Sequence, residues 1–95
     1  MIINNLLLKL KDRRPESIAK TRDVLLGMKE KIEFIHDLQV EVDIRHSEKS
    51  WDIALIGKFA SMEDFKAYVA HPAHVEVSQY IAGVLETAAA VCYEN

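Results

Sequence analysis

The chain has 95 residues, which suits one folded domain and not two. With 49% hydrophobic and 28% charged residues, and a net charge of −3, its composition excludes a disordered chain. The basic run Lys9-Leu10-Lys11-Asp12-Arg13-Arg14 is broken by an acid, which leaves no continuous basic stripe for nucleic acid.

Ile2 to Lys11 reads as the first strand, apolar on both faces in its middle, as a central strand covered on two sides should be. No secretory n-region precedes Leu6-Leu7-Leu8, and no apolar run approaches spanning length. A cytoplasmic protein with no membrane partner is therefore expected. Pro15 fits a first helical position, and Ile18, Thr21, Leu25, Met28 and Ile32 recur at three- and four-residue steps. The spacing predicts an amphipathic helix to about residue 33, weakened by Gly27 inside it and by the poor cap at Arg14.

From Leu38 the period becomes two. Leu38, Val40, Val42 and Ile44 point one way, and Gln39, Glu41, Asp43 and Arg45 the other. A polar connection, His46 to Ser50, leads into a strand in which Trp51, Ile53, Leu55 and Phe59 alternate with Asp52, Ala54, Ile56 and Lys58. Ser61 with Asp64 three residues on resembles a capping box and starts a helix with Met62, Phe65, Tyr68 and Val69 on its apolar side. Pro72 ends that helix and begins another, carrying Val77, Ile81 and Val84. Thr87 to Tyr93 reads as a last strand. Cys92, the one cysteine, lies in its apolar run and reads as a small buried hydrophobe in a reducing compartment.

This order is the split βαβ pattern of an α+β, ferredoxin-like domain occupying residues 1–95, with strands one and three at the centre of a four-stranded antiparallel sheet. Helices then cover one face. The other face is polar on strand two but apolar on strands one, three and four, so it wants a cover, most simply a second copy of the chain.

The sharpest local motif is Tyr68-Val69-Ala70-His71-Pro72-Ala73-His74-Val75. Pro72 places His74 in the first turn of its helix, on the stripe of Val77 and Ile81 and facing inward. The helix N-terminus and desolvation both favour its neutral imidazole. Tyr68, in the preceding helix, brings a hydroxyl to the same region, and the pair has the chemistry for proton transfer on a carbonyl compound. His71 and His74 at i, i+3 lack a third ligand for a metal. His36 and His46 read as solvated.

An acidic helix start leading into Tyr-x-x-His-Pro-x-His resembles the Dabb (stress-responsive α/β-barrel) family. The first-strand Leu7-Leu8-Lys9-Leu10-Lys11 and the Trp51-to-Phe59 stretch are similar to it as well. The resemblance implies a homodimer whose two sheets enclose a central β-barrel. It also implies, from plant polyketide cyclases similar to the family, a cofactor-free acid/base pair at Tyr68 and His74. A first-strand histidine frequent in the family corresponds here to Asn4, which cannot titrate. Asn4, Leu6 and His71 are expected to line the pocket.

Three readings stand at this stage. They are an apolar pocket for a small organic ligand, a cofactor-independent cyclase-like or degradative enzyme, and a structural dimer whose interior is filled by its own side chains. A cavity of about 300 Å³ or more beside Tyr68 and His74 is the expected mark of a ligand site.

Overall fold

Side-chain alternation on the first strand decides how the sheet is built. The structure, a computed structural model, describes residues 1 to 95. The elements run β1 (Ile2–Leu10), α1 (Pro15–Leu26), α2 (Met28–Lys31), β2 (Asp37–Val42), β3 (Ile53–Phe59), α3 (Met62–Ala70), α4 (Pro72–Val84) and β4 (Leu85–Glu94). The strands form one antiparallel sheet in the order β2-β3-β1-β4, so the first and third strands are central. Leu6 pairs with Leu55 on one side and with Ala90 on the other, which fixes the faces of the whole sheet.

One face carries the core. Leu8, Leu10, Ile53, Leu55 and Phe59 meet Ile18, Leu25 and Met28 from the helices. Each such buried Leu, Ile or Phe contributes about 1.5–3 kcal/mol. The opposite face has no cover within the chain. Leu7, Val91 and Tyr93 are exposed there, Ile56 is half-buried, and Gln39 and Glu41 make its β2 edge polar.

Several expectations are corrected. The helix expected to reach residue 33 turns at Gly27, and Ile32 adopts extended dihedrals that bury it on the way to β2. The second strand stops at Val42, the partner of Ile53, and Ile44 is 96% exposed. The Asp43 carboxylate accepts the His46 N–H at 2.7 Å and turns the chain there, with His46 at φ 51°. Met62 and Val69 lie exposed, so α3 buries Tyr68 and half-buries Phe65 instead of the wider stripe. Cys92 is exposed: β4 is an edge strand, the core draws on β1 to β3, and no β4 residue is fully buried.

Asp52, which alternates with Ile53 and Leu55 in the sequence, is buried. Its carboxylate accepts the Leu10 N–H at 2.9 Å and the Arg13 Nε–H at 2.9 Å. Arg13 in turn donates to the Ser47 carbonyl at 2.8 Å, which ties the β2–β3 connection to the end of β1. The first turn of α1 is organised from outside: Asp12 accepts from the Arg14 N–H and from the Ser17 hydroxyl, at 3.1 and 2.7 Å. The Arg14 guanidinium beside it, with Ser17, holds the Asp12 carboxyl well below the usual carboxylate range.

Candidate functional site

The break between α3 and α4 assembles the site. Pro72 excludes the helical region for the residue before it, and His71 is extended at φ −66°, ψ 137°. The chain therefore leaves α3 one turn after Tyr68 and restarts at once with Pro72 in the first helical turn. His71 Nδ1 accepts the Ala73 N–H at 3.0 Å, so this imidazole is used as the N-cap of α4 and does not line the cavity described below. At the other end of α3, the Asp64 N–H donates to Ser61 Oγ at 3.1 Å, the cap expected from the sequence.

Tyr68 is 2% exposed and packs on Phe59 at 4.8 Å between ring centroids. Phe59 itself lies back over Gly57, where an added Cβ would come within 3.1 Å of its ring. A side chain at 57 would have to push that ring back by a few tenths of an ångström. On its other side Tyr68 meets His74, with ring centroids 4.5 Å apart and planes inclined by 60°.

These two residues border a cavity of about 230 Å³. Its floor is Leu8, Leu25, Met28, Leu55 and Tyr68, all buried, and its rim carries the exposed Ser78 and Ala82 of α4. Leu6, Val77, Ile81 and Leu85 complete the wall. No charged side chain contributes. The cavity lies on the helix side of the sheet, opposite the uncovered face, and is built from one chain. Its volume is below the roughly 300 Å³ at which pockets for drug-sized ligands begin, so it suits a smaller molecule. Depressions of about 300 and 330 Å³ against α1 are larger but bordered by charged groups, Lys11, Asp12 and Lys20 in one and Asp23, Lys31 and Glu76 in the other.

Burial raises the Tyr68 phenol to about 12, and no hydrogen bond counters it; the hydroxyl has no partner within the chain. His74 is shifted the other way. Desolvation lowers its pKa, partly offset by a backbone hydrogen bond to Val69, so the ring is neutral at pH 7. Ser78, one helical turn beyond His74, places Oγ 3.4 Å from its Nδ1. At neutral pH the site therefore offers a phenol, an imidazole and a hydroxyl, none of them charged.

The structure brings Tyr68, His74 and Leu6 together. Asn4 shares the sheet face of Leu6 and is 8% exposed, but it pairs with Gly57 and Cys92 and does not border the cavity. Sequence reasoning missed Ser78, although its i+4 spacing from His74 was available as a signal. It also missed Leu25 and Met28 as the cavity floor; their helical period marks them only as core. No cluster of three or more His, Cys, Asp or Glu side chains is placed to hold a metal ion, and no helix is long and apolar enough to cross a membrane.

An antiparallel sheet in this order, backed on one face by helices, defines a ferredoxin-like α+β protein, here with a helix-side apolar cavity. The chain belongs to the stress responsive A/B barrel domain family (Dabb), whose model matches residues 5–95. Among solved structures it is similar to a dimeric protein of unknown function and ferredoxin-like fold from Bacteroides fragilis. That likeness has 27% identity and a TM-score of 0.83, and covers 99% of this chain and 95% of the other. A protein from Arabidopsis thaliana is 26% identical with a TM-score of 0.84, covering 100% and 95% of the two chains. A hydroxynitrile lyase from Passiflora edulis, 12% identical over 97% and 90% of the chains with a TM-score of 0.82, shares the fold alone. No curated protein matches the chain in sequence.

Proposed function

We propose that the protein is a homodimer in which each chain binds a small organic molecule in the cavity bordered by Tyr68 and His74. One observation carries this reading: an apolar cavity bordered by no charged side chain is lined by the buried Tyr68, whose hydroxyl makes no hydrogen bond within the chain. The purely structural reading is disfavoured, since the interior beside Tyr68 is not filled by the chain's own side chains.

The dimer is supported by the uncovered sheet face, where Leu7, Val91 and Tyr93 stand exposed, and by the dimeric state of the Bacteroides fragilis relative. Ligand-observed NMR against a library of small aromatic and aliphatic compounds tests the binding reading. Hits should be lost in Ala82→Phe, which plugs the rim. Hits that persist in that variant place the ligand elsewhere and overturn the reading.

A second reading, acid–base chemistry on the bound molecule, is favoured by the 4.5 Å approach of the Tyr68 and His74 rings. His74 would serve as the neutral base and Tyr68 as the hydrogen-bond donor. If the pair is catalytic, His74→Ala lowers turnover by roughly 10²–10⁴-fold with the fold intact. Asn4 adds no third titrating group, so the cyclase chemistry implied by the family resemblance has only two of its participants here.

A further inference from the structure

The walls of the Tyr68 cavity also restrict the charge of what enters. From Leu6, Leu8, Leu25, Met28 and Leu55 to Ile81 they are aliphatic or thioether, and no Asp, Glu, Lys or Arg reaches them. The lining residues with polar side chains are Tyr68, His74 and Ser78. They differ in burial: Tyr68 is 2% exposed, and Ser78 stands at an exposed rim. About 230 Å³ is the liquid share of roughly eight water molecules at ~30 Å³ each, room for one ring with one or two substituents.

Resting on the binding function proposed above, we infer that the cavity selects an uncharged, single-ring-sized molecule whose one oxygen hydrogen-bonds Tyr68 at the cavity floor. A carboxylate or ammonium ligand would leave water with no countercharge to meet it, whereas a hydroxyl or carbonyl oxygen supplies the partner the phenol lacks. The apolar remainder of the ligand takes up the wall, and its outer end lies beside His74 and Ser78.

The test uses four probes of one shape on the full-length chain at pH 7.5, followed by two-dimensional NMR titration: toluene, benzyl alcohol, benzoate and benzylamine. Benzyl alcohol should bind most tightly, shifting signals of Tyr68, His74 and Leu55. Benzoate and benzylamine should bind at least about tenfold more weakly. Tyr68→Phe should weaken benzyl alcohol about three- to tenfold and leave toluene unchanged, the pattern of one lost hydrogen bond. If benzoate or benzylamine binds as well as benzyl alcohol, or if Tyr68→Phe weakens toluene and benzyl alcohol equally, the inferred ligand class is wrong while the binding site stands. If none of the four shifts the cavity residues, the binding reading and the inference fall together.

Discussion

Replacing Tyr68 by Phe removes a single oxygen atom, and the sign of the stability change separates two accounts of this residue. A structurally bonded tyrosine loses about 0.5–1.5 kcal/mol on losing its hydrogen bond. Here the ring is held by Phe59 at 4.8 Å and by His74 at 4.5 Å, contacts that Phe retains. The hydroxyl has no partner in the chain, and its burial raises the phenol to about 12. A fully buried, unsatisfied hydroxyl would return about 1–3 kcal/mol on removal, but no buried side-chain polar atom of this chain lacks a partner, so this one meets solvent through the cavity and its removal returns less. The variant should therefore lie between unchanged and about 1 kcal/mol more stable, at most about 4–8 °C in Tm for a chain of this size. Urea unfolding at fixed chain concentration measures it, because dimerisation makes the midpoint concentration-dependent. The midpoint should hold or rise slightly, with no change in slope. A loss of 0.5 kcal/mol or more would show that the hydroxyl is bonded in the fold and would refute the reasoning.

Ile56→Glu puts a charge on the uncovered sheet face and should convert a dimer, as seen by sedimentation equilibrium, into monomer; Glu41→Lys on the polar edge should stay dimeric. Asp52→Ala strands the Leu10 N–H and Arg13 and should cost about 2–3 kcal/mol in chemical denaturation, the discount from a fully buried pair reflecting the part-exposed Arg13. The His74 pKa lies below its ordinary value, so the unfolded chain binds the proton more tightly and stability falls as pH drops through about 6.5. The loss levels off below the folded pKa. His74→Gln should remove that component of the pH–stability curve, and an unchanged curve would contradict the shift. Ser78→Ala should alter the tautomer balance of His74 read from its ring ¹⁵N shifts, while Ser78→Thr keeps it.

The fold was legible because hydrophobic period and punctuation agree in most elements. Leu38 and Val40 alternate with Gln39 and Glu41, and Ser61, Pro15 and Pro72 sit where the helices begin. Tyr68 and His74 were legible as a pair because Pro72 sets where the second helix starts and so which way His74 faces. The errors have a common cause in positions at the margin of an element. Alternation carried past Val42 wrongly included Ile44, because period alone does not reveal where the partner strand begins. The burial of Asp52, just ahead of β3, was not legible because a backbone N–H and an arginine from distant residues meet it there, and such long-range partners leave no local signal. Cys92 was misplaced because an apolar run looks the same on an edge strand as on a central one. The floor and size of the expected cavity were not legible: it is the space that Leu8, Leu25, Met28 and Leu55 leave between sheet and helices, set by three-dimensional packing and not by residue type.

The account's central claim is that a small molecule occupies this space against Tyr68. The most direct measurement is of intermolecular nuclear Overhauser effects between bound benzyl alcohol and the side chains of the selectively labelled protein. The account predicts contacts from the ligand's ring to the methyl groups of Leu8, Leu25, Leu55 and Met28, and from its CH₂OH end to the Tyr68 ring. Contacts confined to the open sheet face, at Leu7, Val91 or Tyr93, would contradict it.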